Sequence, residues 1–389
     1  MSTAGSASGR DDIRAGIRAV CERFPDTYWR DLDRSQSYPT EFVDALSRGG
    51  WLSVLIPEEF GGSGMGIGDA AAILQEINRS GANAAAAHAQ MYIMGTLLRH
   101  GSPEQQARYL PRVAAGELRL QAFAVTEPNA GSETTRIQTK AERHGDEYVV
   151  NGQKVFTSRV EHSDLMLLLA RTTPYPDLDD KTRGLSLFIV ELKPAIDAGS
   201  IVVRPMDMMI NHSTTELFIE DLRVPAANRI GAEGEGFRYL LDGWNAERIL
   251  IAAECVGDGD WFVARASAYA TERVVFGRPI GANQGVQLPI AQAHAQIRAA
   301  ELMTARAAEL FDAGQPCGPE ANMAKLLASQ ASWAAANACL DTHGGYGFAA
   351  EYDVERKFRE TRLYSIAPIN NNLVLAYLGH HVLNMPRSY

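Results

Sequence analysis

Residues 244–251 read Trp-Asn-Ala-Glu-Arg-Ile-Leu-Ile and lie inside a helical pattern that runs over residues 237–277. Leu240, Trp244, Glu247 and Ile251 recur at three- and four-residue spacing, so they share one helix face. A carboxylate on a stripe of tryptophan and aliphatic carbon is costly if unpaired. Alternatively its pKa rises and it becomes a general base at neutral pH. The bland reading is a surface ion pair between Glu247 and Arg248, worth little. Position alone leaves both open.

The elements that must hold this carboxylate fall into three stretches. The chain has 389 residues, long for a single core, at 46% hydrophobic and 22% charged residues, which is ordinary globular composition. Residues 1–10 read as a disordered tail without a signal-peptide pattern. Helical periodicity follows near 11–23, 39–50, 68–98 and 103–116, with Pro39 and Pro103 at helix starts. The glycine-rich run 61–66 has no lysine and no preceding strand–helix unit, so it reads as a turn rather than a phosphate cradle. From residue 120 to 230 the texture changes to short runs of Val, Ile, Thr, Phe and Leu, near 120–126, 147–150, 154–158, 164–171, 184–191, 200–205 and 214–219. Asn151-Gly152 reads as a turn between two of them. After Gly234-Glu235-Gly236, long Ala-rich helices return near 237–273, 286–314, 319–344, 351–366 and 370–382. The expected fold is α+β and multidomain. It comprises an N-terminal helical domain (1–119), a middle β-barrel-like domain (120–232) and a C-terminal four-helix bundle (233–389).

Composition narrows the partners. The formal charge of −10 argues against nucleic acid. No apolar run approaches the roughly 18 residues of a membrane helix. The four cysteines are widely spaced and read as buried reduced thiols of a cytoplasmic protein, which makes the N-x-S/T matches at Asn78 and Asn211 chance. The nine histidines form no spaced metal set, and His343, His380 and His381 read as helix-end or surface residues.

The segment Ala124-Val125-Thr126-Glu127-Pro128-Asn129-Ala130-Gly131-Ser132-Glu133 resembles the first signature of the acyl-CoA dehydrogenase family of flavoproteins, which shares the helix–sheet–helix order. Asn151-Gly152-Gln153-Lys154 followed by Phe156-Thr157-Ser158 resembles that family's strand beside the flavin. Glu272-Arg273, Phe276-Gly277 and Gln284 resemble its subunit-crossing FAD site. Gly344-Gly345-Tyr346-Gly347, then Glu355-Arg356 and Arg359-Glu360, resembles its second signature. The resemblance covers essentially the whole chain. It implies that Phe123, Val125 and Thr126 meet the flavin, that Gly131 allows close approach, and that Ser132 sits where flavin phosphate and substrate pantetheine converge. Phe156 replaces the family's usual Trp, and Ser158 takes the place of a flavin-bonding Thr. Arg273, Phe276 and Gln284 fall at the FAD positions, with Gly344, Gly345 and the 341–345 segment nearby; the Arg273 guanidinium suits a pyrophosphate. Asp341 stands where a Gln contacts FAD, an unfavourable exchange for an acceptor-only group. Glu133 and Arg136 also depart from the pattern.

The reaction implied is FAD-dependent α,β-dehydrogenation of an acyl-CoA to a trans-2-enoyl-CoA, a base taking the α-proton and flavin N5 the β-hydride. Most members carry the base in a C-terminal Glu-Gly-Thr segment; here that segment is Pro368-Ile369-Asn370. A minority, resembling isovaleryl- and long-chain-type enzymes, carry it on the central helix one residue before an Arg, where Glu247 stands. Arg248 then serves substrate anchoring or holds the charge balance, with Asn245 and Trp244 at substrate-contacting positions and Asn370 beside the cofactor. Pro368 lacks the N–H that helps bind the thioester oxygen in relatives. The acyl wall would draw on residues 84–94, with adaptable Met side chains. The resemblance further implies a homotetramer built as a dimer of dimers, and electron transfer to an electron-transferring flavoprotein in fatty acid metabolism. Two alternatives stay open. One is altered chemistry on the same fold (oxidase, desulfinase or carrier-protein thioester tailoring); the other is a silent flavin- or acyl-CoA-binding subunit.

Overall fold

The computed structural model describes residues 7–387 and divides the chain into two compact units. One unit comprises residues 36–64 and 85–244. It carries helices α3 (Thr40–Arg48), α5 (Ala85–His100), α6 (Pro103–Ala114) and the short α7 (Leu192–Asp197). Its strands are β1 (Leu120–Ala124), β2 (Lys140–His144), β3 (Glu147–Ser158), β4 (Leu165–Arg171), β5 (Leu185–Glu191), β6 (Ile201–Pro205), β7 (Thr214–Pro225) and β8 (Arg229–Ile230). They form one mixed sheet in the order β6-β7-β3-β2-β4-β5-β8, with β1 parallel to β4. The ends, β6 and β8, do not pair with each other, so the barrel-like expectation resolves as an open sheet.

Strand β4 shows why this unit holds together. All seven of its residues are buried. Leu165, Leu167 and Leu169 join a core with Ile93, Met94, Leu97, Tyr109 and Leu110 from α5 and α6. Met166, Leu168 and Ala170 face a second core with Tyr148, Phe188 and Leu217. A strand buried on both faces reads as a continuous apolar run, which is what Leu-Met-Leu-Leu-Leu-Ala is.

The other unit comprises residues 1–35, 65–84 and 245–389. It holds α1 (Ala7–Cys21), α2 (Asp26–Ser35), α4 (Ile67–Arg79), α9 (Gln284–Asp312), α10 (Gly318–His343), α11 (Val354–Arg362) and α12 (Asn371–Tyr377). The hairpin strands β9 (Val274–Val275) and β10 (Arg278–Pro279) also belong to it. The 37-residue helix α8 (Gly236–Glu272) contributes residues to both units. Within the second unit, a Cβ on Gly257 would collide with the Gln75 carbonyl oxygen and lie 3.0 Å from Asn78 Cβ, so α4 and α8 touch backbone to backbone there. Gly257→Ala gains about 1 kcal/mol of helix propensity but overpacks a contact that cannot yield. A net loss of about 2 kcal/mol in a denaturant titration is the expected result.

Several sequence expectations need correction. The tail expected over residues 1–10 is helical from Ala7, and Arg10 pairs with Asp69 at 3.0 Å; residues 1–6 lie outside the described residues. The helix expected over 68–98 breaks at residues 80–84, where Gly81 adopts φ +88°. The carbonyls released there are not left bare: Arg356 donates to Gly81 O at 3.0 Å and Lys357 to Ala82 O at 3.2 Å. Asn151-Gly152 is not a turn but a bulge inside the continuous strand β3. A Cβ on Gly152 would meet Thr139 Cα at 2.7 Å, which explains the glycine. The turn itself is at Gly145, φ +63°. Helix α2 and strand β2, both rich in charge, were missed.

Candidate active site

Glu247 is 6% exposed, between the buried residues Ala246 and Arg248, and Leu240 and Ile251 on its face are buried too. A surface ion pair is therefore excluded. Arg248 donates from Nη1 to Asn245 Oδ1 at 3.2 Å. Burial pulls its guanidinium below the ordinary value, and Glu247 opposes that pull, as do Tyr377 on α12 and Cys317 at the head of α10.

The turn at residues 367–371 packs against α10. The Ala367–Pro368 bond is cis, Ile369 is buried, and the Ile369 carbonyl accepts from Lys325 Nζ at 2.7 Å. Asn370 caps α12, its Oδ1 accepting the Leu373 N–H at 2.9 Å, so that acceptor is engaged. Arg273 and Phe276 lie on the exposed β9–β10 hairpin, with Phe276 fully exposed at φ +51°. The Arg273 guanidinium stands 5.9 Å from the Tyr346 ring, which brings it to the second-signature segment. Gln284, Asp341, Gly344 and Gly345 are exposed in the same unit.

In the sheet unit, the first signature and β3 are tied by a buried ion pair that sequence reading did not assign. Lys154 Nζ, at 0% exposure, lies 2.9 Å from Glu127 Oε1 and donates to Val125 O at 2.9 Å. The Glu127 carboxylate also accepts the N–H groups of Gln138 (2.6 Å) and Thr139 (2.9 Å). Burial alone would raise the Glu127 carboxyl, but Lys154 and these amides hold it below its usual range. Burial pushes the Lys154 ammonium down to about 8. The Glu127 carboxylate thus ties the first-signature segment to β3 and to residues 138–139.

Beside this pair, β3 bulges between Lys154 and Thr157, while Val155 N–H donates to Thr126 O at 2.9 Å. The bulge sets Phe156 at φ +58° and leaves the residue 57% exposed. Ser158 Oγ lies 3.2 Å from Thr214 Oγ1. Phe123 and Val125 are partly buried against the α5–α6 core, as is Trp244, and Tyr92 lies 6.3 Å from Phe123. Gly131 and Ser132 are exposed, and a Cβ on Gly131 would meet only the Thr126 methyl, at 3.9 Å. Nothing in the chain itself demands glycine there; the space beside it is open. Met91 and Met94 are fully buried, Met94 in the core with Leu97 and Leu110.

Models of the acyl-CoA dehydrogenase N-terminal, middle and C-terminal domains match residues 9–117, 122–222 and 234–370. The chain belongs to the acyl-CoA dehydrogenase family. It is 34% identical to the acyl-CoA dehydrogenase FadE12 of Mycobacterium tuberculosis over 387 residues, covering 98% of this chain and 97% of that one. Its structure is similar to butyryl-CoA dehydrogenase of Megasphaera elsdenii, with TM-score 0.90, 26% identity, and 98% and 100% of the two chains covered. It is also similar to the FAD complex of PigA, with TM-score 0.89, 25% identity, and 99% and 100% covered. Helical N- and C-terminal domains flanking a β-sheet domain are the architecture of this acyl-CoA dehydrogenase fold. As a flavoprotein site, the sheet unit fits its cofactor: a strained, outward-held aromatic ring and open glycine backbone beside hydroxyls suit a planar, apolar ring with a polar edge.

Proposed function

We propose that this acyl-CoA dehydrogenase binds FAD and converts an acyl-CoA thioester to the trans-2-enoyl-CoA, with Glu247 as the base. The observation that carries the reading is a buried carboxylate on α8 in a chain whose C-terminal segment offers Pro368-Ile369-Asn370 instead of an acid. Glu247 accepts the α-proton; Asn245, Arg248, Trp244 and Ser132 hold and orient the thioester. Bound FAD supplies the hydride acceptor. Phe123, Val125, Thr126, Gly131, Ser132, Phe156 and Ser158 would hold it in the sheet unit. Arg273, Phe276, Gln284, Asp341, Gly344, Gly345 and Asn370 would hold it in the helical one. Pro368 offers the thioester oxygen no N–H; the turn retains those of Ile369 and Asn370.

The division into domains 1–119, 120–232 and 233–389 is supported by where the three family matches begin and end. A homotetramer is supported by exposed apolar side chains of the helical unit, including Phe276, Val274, Leu288, Leu302 and Phe348. Four buried free cysteines support a cytoplasmic setting. No helix among the described residues is long and apolar enough to cross a membrane. The proposed electron acceptor is an electron-transferring flavoprotein, and the proposed role lies in fatty acid metabolism.

The purified protein should be yellow, and a panel of straight and branched acyl-CoAs should bleach it anaerobically, yielding the enoyl-CoA by mass spectrometry. A yellow protein that no thioester bleaches, or peroxide release in air, would contradict the reading. Phe156→Ser should lower flavin occupancy on purification by about tenfold, the loss of roughly 1.4 kcal/mol of ring contact, without moving the apoprotein Tm.

A further inference from the structure

Arg136, one of the positions that depart from the family pattern, stands over a tyrosine in the sheet unit. The Tyr175 ring, in the loop between β4 and β5, is approached by three cations. The Arg136 guanidinium lies 4.4 Å from its centre, Lys181 Nζ 4.7 Å and the Arg171 guanidinium 5.4 Å. The ring attracts each of them, but the three repel one another. Little nearby neutralises them. Arg171 donates only to carbonyls, those of Ile137 (2.9 Å), Thr173 (3.3 Å) and Thr135. Lys181 likewise donates to the carbonyls of Tyr175, at 3.0 Å, and Leu178. Arg136 alone has an acid, its Nε lying 3.0 Å from Glu133 in an exposed pair that is worth little. The acids of the loop do not pair with these cations. Asp180 accepts from the Thr182 N–H and hydroxyl, and Asp177 and Asp179 are exposed. Glu127, whose charge reaches Arg171, is held by Lys154.

In a chain of formal charge −10, three cations gathered on one ring make a local site for an anion. Its place in the sheet unit says which anion. Arg136 follows Ser132 by four residues, so the two Cα atoms are within about 14 Å even if the chain is extended. Arg171 fixes the intervening stretch through the Thr135 and Ile137 carbonyls, and Gly131 and Ser132 are exposed at its start. The cluster therefore flanks the first-signature loop. A thioester handle is phosphorylated in one of two ways: coenzyme A carries a pyrophosphate and a 3′-phosphate monoester, whereas the arm of a carrier protein has a single phosphodiester. The monoester is close to a dianion at neutral pH, and it suits an arginine fork beside a lysine point charge.

We propose that Arg136 and Lys181, held on the Tyr175 ring with Arg171 behind them, bind the 3′-phosphate of coenzyme A and so select acyl-CoA over a thioester carried on a protein. This rests on the reading that Ser132 meets the pantetheine of the substrate. Arg136 is exposed and offers its two Nη groups; Lys181 offers its ammonium from the half-buried side of the loop. Arg171, buried and engaged on carbonyls, contributes its charge and keeps residues 135–137 in place. Binding the phosphate relieves the repulsion among the three.

The test is calorimetric titration of the full-length, flavin-loaded protein with crotonyl-CoA, crotonyl-3′-dephospho-CoA and a crotonylated carrier protein, all already unsaturated so that no hydride transfer is called for. The wild type should bind crotonyl-CoA about tenfold more tightly than the dephospho form, the worth of one charge-assisted contact. Arg136→Gln and Lys181→Gln should each weaken crotonyl-CoA by roughly tenfold and move the dephospho form by less than about twofold. Arg136→Lys, which keeps the charge, should recover most of the loss. Equal wild-type affinities for the two nucleotides, variants that weaken both alike, or no binding of crotonyl-CoA would each overturn the proposal. Should Lys181→Gln unfold the loop, Arg136→Gln decides, because its side chain is exposed. A carrier-protein thioester that binds more tightly than crotonyl-CoA and is weakened by Arg136→Gln would put a phosphodiester in the site and overturn the assignment to coenzyme A. A protein that shows the 3′-phosphate dependence yet is bleached by no acyl-CoA loses the dehydrogenase reading and keeps this one.

Discussion

Glu247→Gln should bleach its flavin with acyl-CoA about two to four orders of magnitude more slowly than the wild type, the range that a positioned base contributes. The amide has the shape of the carboxylate and loses the capacity to take a proton. Binding should survive: Asn245, Arg248, Trp244 and Ser132 are untouched, so the spectral perturbation on mixing should titrate at a similar concentration. Stability should survive as well, because a neutral amide is cheaper to bury than the carboxylate it replaces at this 6% exposed position. A slow variant that has also lost flavin, or that no longer binds thioester, would not count for the base. A variant that bleaches at the wild-type rate counts decisively against it.

The largest stability effect is expected at Lys357→Met. Lys357 is 1% exposed, 2.6 Å from Asp258 Oδ1 and 3.1 Å from Glu360 Oε2, and it donates to the Ala82 carbonyl. Arg356 lies 3.0 Å from the other Glu360 oxygen and 3.5 Å from Asp353, so the cluster spans α8, α11 and the break after α4. Removing the central cation strands the Asp258 carboxylate and the Ala82 carbonyl and leaves Glu360 to Arg356 alone, a loss of about 3–5 kcal/mol and of roughly 10 °C in Tm. The sign of its pH dependence follows from Asp258. Burial raises that carboxyl to about 6 even with Lys357 beside it. A raised acid contributes stability below its unfolded value that is lost as pH rises through the folded one. Without Lys357 the carboxyl rises further, so the variant's deficit should be larger at pH 8 than at pH 5. A deficit independent of pH would mean that packing, not charge, is what was lost.

Sequence pattern exposed what is periodic and hid what is paired across distance. The helix around Glu247 was legible because Leu240, Trp244 and Ile251 repeat at helical spacing, and α8 at Gly236–Glu272 falls within a few residues of that reading. The sheet was legible as a run of short apolar segments, but not its closure, since pairing order is a property of partners rather than of any one strand. Asn151-Gly152 has the composition of a turn and is a bulge, because the glycine is set by Thr139 crossing beside it. The break between α4 and α5 sits in an Ala-rich periodic stretch. Its stabilisation comes from Arg356 and Lys357, each 275 residues away. Lys154 and Lys325 look like ordinary polar positions until Glu127 and the 369–371 turn are brought to them. The signal that was available was a lone lysine on an otherwise apolar strand or helix.

Hydrogen exchange at the thioester α-carbon isolates the proton step from everything that follows. Acyl-CoA is incubated anaerobically in D2O with wild type and with Glu247→Gln, then recovered and weighed by mass spectrometry. Deuterium entering the α-position with the wild type, and none above the solvent background with the variant, is the outcome expected of a chain whose acid on α8 does the deprotonation. Equal incorporation by both proteins would place the base elsewhere.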